Sequence, residues 1–138
     1  MMAVCLAVCL AVAAAQGAVG GKAADLREKA GKLEKGGNWK EALEARETLL
    51  ARFDDEQSGH DLQRALESLR RINRTAEWDA LVEGAIEDHP DNWTFLWFAA
   101  MAYERAPHWG VILDGEFLRG GHRGGGRHAG SQAVSYTH

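Results

Sequence analysis

After residue 9 the chain has no cysteine. Cys5 and Cys9 are the only two, and both lie in an apolar N-terminal run. A mature chain cut after that run has no disulfide framework and no thiol nucleophile. Proline is nearly absent too, at Pro90 and Pro107 only. The sequence has no Gly-x-x-x-x-Gly-Lys phosphate loop, no zincin helix and no Gly-x-Ser-x-Gly elbow. No catalytic residue, no cofactor and no enzyme activity is therefore expected. Net positive charge is missing as well. The formal balance of -4 gives no global basic field for a nucleic acid. The length, 138 residues, bounds the chain to about one domain.

What is present begins with export. Every residue from Ala3 to Ala15 is apolar, and Ala13-Ala14-Ala15-Gln16 supplies small residues for a signal peptidase. The run is shorter than the roughly 20 apolar residues of a membrane span. A signal peptide over residues 1–20 is expected, with a secreted or periplasmic product and no membrane contact after cleavage. The run departs from the pattern in one respect, since no Lys or Arg precedes it. An N-terminal helix packed on the body, or a misplaced start, is the competing reading. A lipoprotein wants a small residue before its cysteine, where Val4 and Val8 stand.

Residues 21–106 read as a helical-repeat domain. Leu26, Ala30 and Leu33 are spaced four and three apart, one apolar face of a helix. Gly36-Gly37 ends it. Asn38 with Glu41 has the pattern of a capping box for a second helix, lined by Trp39, Ala42, Leu43, Leu50 and Phe53. Arg46 interrupts that face, and its stem is expected to pack while its charge reaches water. So short a turn sets the two helices antiparallel, and neither buries its stripe alone. Laying Trp39 over Trp78 puts Leu26, Ala30 and Leu33 on Ala65, Leu69 and Ile72. Laying it over Trp109 gives Leu96, Ala100 and Tyr103. The tryptophans fall 39 and 31 residues apart, bracketing the roughly 34 of a tetratricopeptide unit. The fold expectation is all-α: about two and a half such hairpin units, then an irregular Gly/Arg-rich tail over 107–138. A generic helical bundle is the plainer alternative.

The fifth helix, about Trp93 to Arg105, has almost no polar face. Asp91 or Asn92 is placed to cap it, and Pro107 to end it. Its aromatics make Trp93, Trp97 and Tyr103 candidates for gripping a peptide. A central helix sandwiched between neighbours is the structural alternative. Beyond it, Val111 to Leu118 reads as a strand or an extended tether. Arg119, His122, Arg123 and Arg127 then stand among five glycines. So many glycines make helix costly, at about 1 kcal/mol each. A loop results, with arginine forks and free backbone N–H groups suited to phosphate, sulfated glycan or nucleic acid. Against RNA, no aromatic interleaves the arginines. Against a metal, His108, His122 and His128 have no acid or cysteine at ligand spacing. The bland reading is a solvated loop whose arginines pair with the repeat's own acids. Asn73-Arg74-Thr75 and Asn92-Trp93-Thr94 match glycosylation acceptors but read as helix caps.

The run Gly115-Glu116-Phe117-Leu118-Arg119-Gly120-Gly121-His122-Arg123-Gly124-Gly125-Gly126-Arg127 resembles the N-terminal region of large bacterial alpha-2-macroglobulin-like proteins of planctomycete type. So does Ile86 to Trp97, with His89 and Trp93. The resemblance runs from about Lys22 onward. It implies a bacterial, exported scaffolding segment, a fragment of a longer protein that traps proteases. The macroglobulin domains, the bait region and the thioester Cys-x-Glu-Gln are not in this chain, so trapping is not carried over to it. The implied partner is a protein or peptide, or downstream domains of the same full-length chain.

Overall fold

A computed structural model describes residues 20–121 and the strand at 127–130. The expected signal peptide lies, but for its last residue, outside them. The described chain is mostly helical. In order come α1 (20–35), α2 (Trp39–Arg52), α3 (Ser58–Arg71), α4 (Trp78–Asp88) and α5 (Trp93–Arg105). A 3-10 turn, Thr75–Glu77, leads into α4.

Two helix ends use the same device. At Gly37 the backbone turns left-handed (φ +78°), and the Asn38 and Gly37 N–H groups return to the Leu33 and Glu34 carbonyls. At Asn73 (φ +59°) the Arg74 and Asn73 N–H groups return to Leu69 and Arg70. Both satisfy carbonyls that a helix end leaves without partners. Asn73 therefore closes α3 rather than opening the next helix. Asn38 makes no side-chain cap to α2, so the expected capping box is not formed. Asn92 does cap α5, its Oδ1 accepting from the Phe95 N–H at 2.9 Å.

α3 is the middle of the molecule. It packs on α2 along one side and on α5 along the other, and α4 touches α2, α3 and α5. The core joins Leu43 and Leu50 of α2, Leu62, Ala65, Leu66 and Leu69 of α3, Val82 and Ala85 of α4, and Phe95, Ala99 and Ala102 of α5. Gly59 lets α3 and α5 approach: a Cβ there would fall 2.2 Å from the Phe98 ring. Of the positions that the sequence overlay assigns to a third unit, none is fully buried. Ala99 is buried while Ala100 faces out, and Leu96 and Tyr103 are only partly covered.

The all-α reading needs correction at the C-terminal end. Among the described residues of the expected irregular tail, β1 (Trp109–Leu113), β2 (Glu116–Arg119) and β3 (Arg127–Gly130) form a three-stranded antiparallel sheet in the order β2-β1-β3. Asp114 and Gly115 link the first two strands, with φ +52° and +88°. That is the two-residue turn whose twist matches paired strands. Val111 anchors the sheet in the interior, and Gly110 admits the Leu118 carbonyl, which any Cβ would strike.

Candidate functional site

The largest group of charges in the interior joins the first three helices. Arg46, on the apolar side of α2, is buried rather than reaching water. Its Nε donates to Glu34 Oε1 at 3.1 Å and its Nη1 to Asp61 Oδ1 at 2.5 Å. Arg27 holds the other Asp61 oxygen at 2.8 Å and Asp55 at 2.8 Å. Arg64 grips Glu34 Oε2. Burial alone raises the Glu34 carboxyl, but hydrogen bonds from Arg64 and Arg46 outweigh it and hold it below the usual carboxylate range. Asp55 behaves alike, with Arg27 opposing burial. Three arginines meet three acids, and both oxygens of Glu34 and of Asp61 are used. A cluster whose buried carboxylates are paired on both oxygens reads as a structural joint.

A second polar node joins α2 to the start of α5. His89 is buried, and its Nε2–H donates to the Leu50 carbonyl at 2.8 Å. Its Nδ1 lies 3.0 Å from Asp54 Oδ1, and its ring stacks near Phe95 with centroids 4.3 Å apart. Asn92 Nδ2 donates to the same Asp54 oxygen at 2.6 Å. That bond is the main cause that lowers the Asp54 carboxyl; burial opposes it, and His89 adds to it. Asn92 thus ties the turn with one side-chain atom and caps α5 with another.

The sequence candidates are scattered. Trp93 and Trp97, one helical turn apart on α5, are 77% and 56% exposed. Trp97 meets Phe98 edge-on at 5.1 Å, and Phe98 in turn packs on His60 of α3. Tyr103 does not join them. It packs against the core, and burial raises its hydroxyl pKa. Arg119 is engaged within the fold. Its Nε reaches both Asp79 oxygens at 2.8 Å, its Nη1 donates to the Pro107 carbonyl at 2.9 Å, and its guanidinium covers Phe117. Of the basic loop, His122 and Arg123 lie outside the described residues. Arg127 contributes its backbone to β3, opposite Ile112. Among the described residues no group of three His, Cys, Asp or Glu side chains is placed to hold a metal, and no helix is long and apolar enough to cross a membrane.

Sequence reasoning missed a cavity of about 270 Å3 between α3, the start of α4 and the end of α5. Gln63, Leu66 and Arg70 line one side, Ala102, Arg105 and Pro107 the other, with Trp78 between them. Trp78 is buried, and its indole Nε1 is the one buried side-chain polar atom without a hydrogen-bond partner among the described residues. Leaving such a donor unpaired costs about 1–3 kcal/mol. The signal in the sequence was the apolar-side tryptophan itself, since a buried indole needs an acceptor. A second groove, between α2 and α4, is lined by Leu50, Ala51 and Leu81 and by Glu47, Glu77 and Asp88.

No protein-family model, no curated protein and no solved structure matches the chain.

Proposed function

We propose that the chain is an exported, non-catalytic interaction segment of stacked helical hairpins of tetratricopeptide type. Its contact surface for a peptide or a neighbouring domain is the aromatic side of α5. The observation that carries this reading is the exposure of Trp93 and Trp97 on a helix whose other side is core. Monomeric surfaces seldom leave two neighbouring tryptophans in water without a partner to cover them. Supporting the repeat assignment, Ala30, Ala65 and Ala99 are each fully buried at intervals close to the roughly 34 residues of a tetratricopeptide unit. The wider spacing of Trp39 and Trp78 then reflects the longer turn that carries Thr75–Glu77.

Export rests on the apolar run Ala3 to Ala15. The resemblance to the N-terminal region of bacterial alpha-2-macroglobulin-like proteins belongs to the same reading, and it makes downstream domains of a longer chain the natural partner. The alternative of an anion grip by Arg119, Arg123 and Arg127 is the weaker one, because Arg119 already neutralises Asp79. The test is selection of displayed peptides on the full chain, repeated with Trp93→Ser and Trp97→Ser together. Loss of the selected binders with an unchanged circular-dichroism melt supports the aromatic side of α5. Retention of all of them rejects it.

A further inference from the structure

We propose that the cavity between α3 and α5 binds a carboxylate carried on a small apolar group, presented by a peptide. The inference uses neither Trp93 nor Trp97, so it stands or falls apart from the reading above.

The volume, about 270 Å3, lies just under the range of about 300–1,000 Å3 that holds drug-sized ligands. One or two amino-acid residues fit that scale. The walls divide by chemistry. Leu66, Ala102, Pro107 and the Trp78 ring offer apolar surface, while Gln63, Arg70 and Arg105 offer N–H donors. Donors therefore outnumber acceptors. The one carboxylate on the wall is already spent: Glu67 takes Arg70 on one oxygen and Arg71 on the other. Among the described residues Arg105 has no carboxylate partner. One carboxylate on the wall thus stands against two guanidiniums, and Arg105 is the unmatched one. The group this wall lacks is an acceptor with negative charge, and a planar carboxylate matches the fork of Arg105. A neutral ligand would leave the excess charge unmet, and a cation would meet the unpaired Arg105 head-on.

Two parts of a peptide carry such a group, its free C-terminal end and an acidic side chain. The experiment separates them. The 15N-labelled full chain is titrated with three probes: acetyl-Ala-Ala-Leu with a free carboxylate, the same peptide as its amide, and acetyl-Ala-Glu-Ala amide. The indole N–H signal of Trp78, assigned by its absence in Trp78→Phe, is followed. The expected result is a saturable shift at up to millimolar concentration with at least one of the two acids and none with the neutral amide. Whichever acid acts identifies the source. Arg105→Gln, an exposed change that leaves the fold intact, is expected to weaken binding by about tenfold. The proposal is overturned if no probe moves the signal, if the neutral amide moves it equally, or if Arg105→Gln binds as the parent does.

Discussion

The two ends of the helical body are joined by opposite chemistry. Where α1, α2 and α3 meet, the apolar packing carries an ionic cluster: Arg46 and Asp61 are buried together, and Arg27, Arg64, Glu34 and Asp55 close the circuit. Where α3, α4 and α5 meet, the joint is apolar, built on Phe95, Val82, Ala99 and Ala102 with His89 beneath Phe95. Both bring helices into contact, but they fail differently. An apolar joint loses transfer energy and gains a cavity when trimmed. An ionic joint loses little when replaced whole, and much when one member is removed, because the rest stay buried without partners.

The sharpest way to break the comparison is to remove one member from each joint. Arg46→Ala takes one partner from Glu34 and one from Asp61, leaving them Arg64 and Arg27, and is expected to cost about 3 kcal/mol in urea unfolding. Phe95→Ala at the other joint is expected to cost about 3–5 kcal/mol by a different route, opening space among α3, α4 and α5. Replacing Glu34, Arg46 and Asp61 together by Leu, Met and Leu separates the two cases. Stability then stays level or rises by about 1–4 kcal/mol, whereas adding a second trim beside Phe95, such as Val82→Ala, only lowers it further.

Acid sharpens the contrast next. Glu34 and Asp55 are held below their ordinary values of 4.5 and 3.8 in the folded state. Their contribution is complete above those values and is lost as pH falls through the lowered ones. Unfolding midpoints should therefore drop below pH 4.5, and Glu34→Gln should flatten that slope. Near-ultraviolet circular dichroism between pH 6 and pH 2 reads both, and an equal slope in Glu34→Gln and parent would count against the ionic joint. The smallest effect is expected at the cap. Asn92→Ala removes the hydrogen bond to the Phe95 N–H and the tie to Asp54, for about 1 kcal/mol. Hydrogen exchange in the first turn of α5 should rise before any global change.

The helices were legible because their signals are local. Ala30, Ala42, Leu43, Leu50, Ala65 and Leu69, picked out by three- and four-residue spacing, are all buried. Gly37 ended its helix, and Asn92 capped α5, as local chemistry dictates. The hairpin was also written locally, in Asp114-Gly115 between Val111-Ile112-Leu113 and Phe117-Leu118, the strongest short-range turn signal there is. Reading Val111 to Leu118 as a single strand or an extended tether passes over that turn. Trp93 and Trp97 were legible as aromatic, though whether they face core or water was not.

By itself the sequence determined where helices begin and end, since capping, glycine and apolar spacing act over a few residues. Tertiary structure alone decided what the polar groups do. Arg46 finds acids 12 and 15 residues away, Arg119 finds Asp79 40 residues away, and among the described residues the Trp78 indole finds no acceptor. The physical reason is range. Helix-forming interactions are made with near neighbours along the chain, while the partner of a buried charge or donor is set by which helix the packing happens to lay against it.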